Sequence, residues 1–230
     1  MLADVLPGPV NAAVGAQALI LRYGVGSLIG VGTAGALDPM LCPGDLVVAQ
    51  QCVAHDAGYF TGRGFQHSGV LGRGSRGLAG FRRRFVADPD LLTRTCGAAG
   101  CLDGSLYAGT VVSGNQAIFS TTRKRWLHLT FDALAVDMET AALAQVAVSH
   151  RVPWIAIRAI SDQADDSLIV DYRRLGLYLD GAAPMWWQRL RRLLYLLLHP
   201  TDRGRVRDLQ RCLTYASERA ALVAETMMRV

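Results

Sequence analysis

The stretch Ala133–Asp166, ALAVDMETAALAQVAVSHRVPWIAIRAISDQADD, decides the fold. Its two apolar runs, Ala133–Val136 and Trp154–Ile160, have strand length, and the alanine-rich segment between them, Met138–His150, has helical propensity. The pattern is a strand–helix–strand unit with one carboxylate near the end of each strand: Glu139 after the first, Asp162 directly after the second. In an open parallel sheet, ligands bind outside the carboxyl ends of the strands. Spacing alone leaves two readings. Either both carboxylates face a ligand, or Glu139 is a solvated first-turn acid that complements the helix dipole and Asp162 is a turn residue.

Outward from that unit the chain keeps alternating strands and helices. Pro9–Tyr23 reads as a helix, with Pro near its start and apolar residues at helical spacing. Leu2–Leu6 before it reads as a strand. Ser27–Gly32 reads as a short buried strand, followed by a turn Gly32–Gly35 whose small residues let backbone approach a ligand. Asp45–Ala54 and Tyr107–Ser113 read as strands and Thr121–Leu129 as a helix. Gly58–Gly80 carries eight glycines and little periodicity, the pattern of a mobile loop, either a substrate lid or an insertion. After Asp166 the pattern is irregular until two helical segments, Pro184–Leu198 and Asp202–Met228, broken at His199-Pro200.

Composition narrows the function classes. The 230 residues are 51% hydrophobic and 19% charged, enough for one domain with a full core. No signal peptide and no run of 18 or more apolar residues appears, so the expectation is a soluble cytoplasmic protein. Cys42, Cys52, Cys96, Cys101 and Cys212 lack metal-ligand spacing and read as reduced thiols; no metal and no cofactor is expected. Residues 185–230 hold nine arginines against four acids, while the rest of the chain is neutral. The excess charge is therefore local, which argues against a general nucleic-acid-binding face.

VDMETAA followed by RAISDQAD resembles the nucleoside phosphorylase/nucleosidase superfamily, most closely its methylthioadenosine/S-adenosylhomocysteine nucleosidase branch. The similarity continues, in family order, through GVGTAGALDPMLCPGDLVVAQ (Gly30–Gln50), His55-Asp56, RFVADPDLL (Arg84–Leu92) and VVSGNQAI (Val111–Ile118), and so covers roughly residues 5 to 170. The resemblance implies an α/β fold of three layers. A central mixed, mostly parallel twisted sheet is flanked by helices, with a nucleoside-binding domain over 1–183 and a basic helical extension over 184–230. It implies cleavage of the N-glycosidic bond of a purine nucleoside by a homo-oligomer. Asp162 is then the acid that protonates N7 of the leaving base, its pKa raised by burial or by negative neighbours such as Asp165 and Asp166. Glu139 accepts the ribose hydroxyls, Met138 packs on the sugar, Ala117 and Ile118 meet the base, and Gly32 and Thr33 form the nucleophile or anion turn.

Three departures bear on the reaction. Gly30 stands where purine phosphorylases carry a phosphate-gripping Arg, which favours water as nucleophile over phosphate, unless the Arg82-Arg83-Arg84 run supplies the cation. Ala117 stands where the nucleosidases commonly stack an aromatic residue on adenine, a contact worth roughly 0.5–1.5 kcal/mol, so the base pocket is wider or is filled by Phe119 or by the glycine-rich loop. The family also carries, some forty residues upstream of the first match, a strand bearing the hydrolases' water-positioning Glu. A displaced start or a genuinely shortened chain would each account for its absence before Met1. The readings in play are a nucleosidase acting on a 5′-substituted adenosine, a phosphorylase that takes phosphate, including the branch linked to hopanoid lipid synthesis, and a non-catalytic nucleoside-binding protein.

Met185–Leu198, MWWQRLRRLLYLLL, combines Trp186, Trp187 and many leucines with Arg189, Arg191 and Arg192. That is the composition of a helix lying in a membrane interface, too short and too charged to span a bilayer. The competing reading is an ordinary helix docked on the sheet.

Overall fold

The computed structural model describes residues 1–73, 79–99, 105–165, 185–198 and 200–229. The strand–helix–strand unit is present as β9 (Ala133–Asp137), α4 (Thr140–His150) and β10 (Trp154–Asp162). Eight of the nine β10 residues are buried, as expected of a strand covered on both faces. β10 pairs in parallel with β1 (Leu28–Ala36), from Leu28 opposite Trp154 to Gly35 opposite Asp162. β8 (Leu106–Ser113) pairs in parallel with both β9 and β2 (Leu46–Ala54). The six-stranded sheet runs β10-β1-β9-β8-β2-β7, where β7 is Phe85–Val86, and β10 also pairs with β2. The antiparallel pairings, β1–β9, β10–β2 and β2–β7, are short. The sheet is mixed but mostly parallel.

The helices start and stop where the local chemistry dictates. α1 (Pro9–Tyr23) opens on Pro and closes on Gly24, whose left-handed φ of 58° lets its N–H reach the Ile20 carbonyl at 3.0 Å. α3 (Thr121–Phe131) is capped by Ser120, whose hydroxyl accepts from the Arg123 N–H at 3.3 Å. α1 packs on α4, and α4 lies against β1, β2, β8 and β10. α2 (Pro89–Ala99) and α6 (Pro200–Arg229) pack together, with α6 also lying along β10 and β1. Ala216, Ala220, Val223 and Met227 recur at helical spacing and join the sheet's apolar core. α5 (Met185–Leu198) packs against α6.

Four expectations are corrected. β1 does not end at Gly32 but continues to Ala36, because Thr33, Ala34 and Gly35 still pair with β10; Gly32–Gly35 is strand rather than turn. Leu2–Leu6 forms no strand; instead Val5 packs on Gly15 of α1, where a β-carbon would overlap it. Within Gly58–Gly80, the described residues are paired strands rather than loop: β3 (Gly58–Thr61) with β4 (Gly64–His67), and β5 (Val70–Arg73) with β6 (Ala79–Arg82), while 74–78 lie outside the described residues. Backbone pairing needs no alternation of side chains, so glycine-rich sequence conceals it. α4 starts at Thr140, two residues later than expected, because Met138 and Glu139 are held in a turn by Asp137. The irregular segment after Asp166 and the break at His199 lie outside the described residues.

Candidate active site

A cavity of about 420 Å³ opens beside the carboxyl ends of β1, β9 and β10, within the range of small-molecule sites. Gly32, Thr33, Ala117, Ile118, Met138, Glu139 and Asp162 all line it, so one cavity gathers the residues that the resemblance places at the sugar, the base and the anion turn. Phe119 lines it too, whereas no residue of the glycine-rich hairpins does. Phe119 is the aromatic residue among the described lining of the cavity. Gly30 also lines the cavity, and a β-carbon there would press on Leu143. Arg82, Arg83 and Arg84 are exposed and do not line it, so they bring no cation to the site.

β9 ends in Asp137, which organises one end of the cavity. Its buried carboxylate accepts hydrogen bonds from the hydroxyls of Ser113 and Thr140, and from the backbone N–H groups of Glu139 and Thr140 at 3.3 and 3.2 Å. It also pairs with Arg158 Nε at 2.6 Å. Arg158 is the one charged residue of β10 before Asp162 and is itself buried. A buried charge is tolerated only when paired and hydrogen-bonded, and here Asp137 and the Thr140 hydroxyl, 3.0 Å from Nε, meet that need. With Nε fixed, Nη1 projects against Gly32, where a β-carbon would overlap it, and stands 3.9 Å from a Glu139 oxygen. Gly32 is thus a glycine because a guanidinium occupies the space of its side chain.

Glu139 is not a solvated dipole acid. Its side chain makes no cap to α4 and is only 20% exposed; Oε1 accepts the Gly8 N–H at 2.7 Å. Asp162 closes the other end. Its carboxylate lies against Gly35, accepts from the Ser161 hydroxyl at 2.7 Å, and pairs at 2.7 Å with Nζ of Lys124 from α3. The Lys124 ammonium is 2% exposed and also donates to the Gln163 carbonyl. The charge set against Asp162 is therefore a cation, where the sequence suggested negative neighbours; Asp165 is exposed and Asp166 lies outside the described residues.

Sequence reasoning missed Asp137, Arg158 and Lys124. For Arg158 the signal was a lone charge inside a fully apolar strand. For Lys124 it was composition: it is the only lysine among 24 basic residues. His55, from the His55-Asp56 pair, is fully buried behind Gly114, and its ring nitrogens have no hydrogen-bond partner among the described residues. Burial pushes its imidazole below the usual range, a shift partly offset by the nearby Asp56 carboxylate. Asp56 itself accepts the Asn115 N–H at 2.8 Å and so braces the segment that carries Ala117 and Ile118. Among the described residues no cluster of metal-ligating side chains occurs.

Known proteins align with this architecture. Two 5′-methylthioadenosine/S-adenosylhomocysteine nucleosidases illustrate the similarity. That of Mycobacterium tuberculosis is 32% identical over 184 residues, 73% of this chain and 71% of the relative. That of Geobacillus thermodenitrificans is 34% identical over 178 residues, 76% of this chain and 70% of the relative. The crystal structure of the Neisseria meningitidis nucleosidase in complex with methylthio-immucillin-A shares the fold, with a TM-score of 0.70 over 97% of this chain and 78% of that one, at 24% identity. The model of the phosphorylase superfamily matches residues 3–174. On the sheet, the cavity and these similarities together, the chain belongs to the phosphorylase superfamily.

Proposed function

We propose that the chain is a nucleosidase: it cleaves the N-glycosidic bond of a purine nucleoside, a 5′-substituted adenosine, with water as the nucleophile. The observation that carries this reading is the register of β1 on β10. Gly32 opposes Arg158, beside Glu139, and Gly35 opposes Asp162. Three strand residues separate the two ends by about 10 Å, the scale of a nucleoside laid along β1. In that pose the ribose hydroxyls meet the Glu139 carboxylate, Met138 covers the sugar, and the base lies among Ala117, Ile118 and Phe119 with its N7 edge toward Asp162. Bond cleavage then leaves positive charge on the sugar near Glu139, while the base takes a proton at the Asp162 end.

Phosphorolysis is the second reading, and one observation favours it: the Arg158 guanidinium stands at Gly32, next to Thr33, where an anion would sit. The absence of a side chain at Gly30 and the pairing of Arg158 with Asp137 favour water, because the cation is already neutralised. Incubating the chain with 5′-methylthioadenosine with and without inorganic phosphate decides between them. The expected product is free sugar, formed at the same rate in both; a sugar 1-phosphate that appears only with phosphate would make the chain a phosphorylase.

The same reading divides the chain into a nucleoside-binding part, 1–183, and an extension, 184–230, that meets a membrane surface through α5. Trp186, Trp187, Leu190, Leu193, Leu194 and Leu197 are exposed and fall on one face of α5. None of the described helices is long and apolar enough to cross a membrane, which fits a helix lying in the interface. The net charge of +5 over 185–230 would draw it to an anionic bilayer by about 1 kcal/mol per basic residue near the surface. Co-sedimentation with phosphatidylserine-containing vesicles is expected at low salt and lost at high salt. A chain that stays in the supernatant at low salt removes the membrane contact and leaves α5 as a packing element.

A further inference from the structure

We propose that Lys124 supplies the proton that Asp162 passes to the departing base, so that the pair, rather than the aspartate alone, is the acid. The inference rests on the nucleosidase reading and goes beyond it. Both Asp162 oxygens are set as acceptors, Oδ2 from the Lys124 ammonium and Oδ1 from the Ser161 hydroxyl, each at 2.7 Å, so a proton bound for the base comes through a neighbour. Among the described residues the proton-bearing charged group in contact with it is Lys124 Nζ, 2% exposed and anchored by the Gln163 carbonyl. The Ser161 hydroxyl holds the other carboxylate oxygen and fixes the orientation.

Composition bears on the assignment. The chain uses arginine at 23 of its 24 basic positions, on its surface and even in the buried pair with Asp137. Lysine appears once, against Asp162. Arginine would serve as well for pairing a buried carboxylate, and its forked guanidinium better, but it does not give up its proton; an ammonium does. A position that must release a proton is the one where lysine cannot be exchanged for arginine.

The step balances. As C1′–N9 breaks, its electron pair passes into the purine ring and N7–H forms. The Lys124 Nζ proton moves onto the Asp162 carboxylate and from there onto N7, so the pair ends as carboxylate and neutral amine. Water adds to C1′ and gives up a proton to solvent, and solvent recharges the amine as the base departs. Lys124 touches no reacting atom; it acts through Asp162.

The test uses the full chain and 5′-methylthioadenosine. Lys124→Gln keeps a donor for both Asp162 and the Gln163 carbonyl but has no proton to release. It should melt near the parental temperature and hold KM within about threefold, yet lose about 10²-fold or more in kcat, the size of general-acid effects. Lys124→Arg, which keeps the charge, should restore little of that loss. In an Asp162→Asn background, Lys124→Gln should change the residual rate by less than about twofold, since residues acting through one another are not additive. Lys124→Gln turnover near the parental rate, full recovery with arginine, or an equal further loss in the Asp162→Asn background would each overturn the proposal and reduce Lys124 to packing. A parental chain that releases no base would instead overturn the nucleosidase reading itself.

Discussion

Asp162→Asn is expected to lower kcat for a 5′-substituted adenosine by about 10²–10⁴-fold, the range of a lost general acid, with KM changed by less than about threefold. The amide has the shape of the carboxylate. Its oxygen can still accept from Lys124, and its NH2 group can still meet the Ser161 hydroxyl, so the 2.7 Å contacts at each end survive the substitution. The space against Gly35, already tight, is unchanged. What is lost is the ability to pass a proton to N7. Because the substituted residue still lines the cavity with the same shape, ground-state binding should be retained and the loss should fall on the chemical step. Steady-state kinetics with a thermal melt as control measure it, and a variant that turns over at the parental rate would remove Asp162 from the acid role.

Glu139→Gln is expected to act at the other end of the cavity, on binding and chemistry together. Oε1 already accepts the Gly8 N–H, and Oε2 faces Arg158 Nη1 at 3.9 Å. Glutamine keeps one acceptor oxygen and replaces the other by a donor, which neither a ribose hydroxyl proton nor the guanidinium can use. A hydrogen bond to a charged group contributes roughly 1.5–3 kcal/mol, so kcat/KM should fall roughly 10- to 100-fold. The carboxylate's charge also steadies the developing positive charge on the sugar, so kcat should fall as KM rises. A 3′-deoxy substrate isolates the contact: its penalty should be large for the parental chain and small for the variant, the non-additivity of two groups that touch. Equal penalties in both would show that the ribose does not lie on Glu139.

Much of this was legible in the sequence because it rests on short-range patterns. Strand–helix–strand alternation placed Glu139 and Asp162 near the ends of two strands, which the sheet sets on either side of β1, and the motifs around Thr33 and Ile118 brought the rest of the cavity lining with them. The Pro9–Tyr23 helix was bounded correctly because a proline and a left-handed glycine mark its ends in the sequence itself. What escaped was long-range pairing. Lys124 reaches Asp162 across 38 residues, and its neighbours Arg123 and Arg125 have the same charge, so nothing local picks it out. Arg158 reads as a disturbance in an apolar strand until Asp137 is known to neutralise it, and Gly32 reads as a turn residue until the guanidinium is known to fill its place. Gly58–Gly80 failed for a different reason. A two-stranded hairpin is held by backbone hydrogen bonds, and eight glycines leave little side-chain pattern to reveal it.

The most direct test of the central claim is a crystal structure of the Asp162→Asn variant soaked with 5′-methylthioadenosine. The nucleoside is expected to lie along β1, its ribose hydroxyls bonded to the Glu139 carboxylate near Arg158 and Gly32, and its N7 edge facing residue 162 beside Lys124. A nucleoside bound outside this cavity, or one reversed so that the sugar meets residue 162, would contradict that claim.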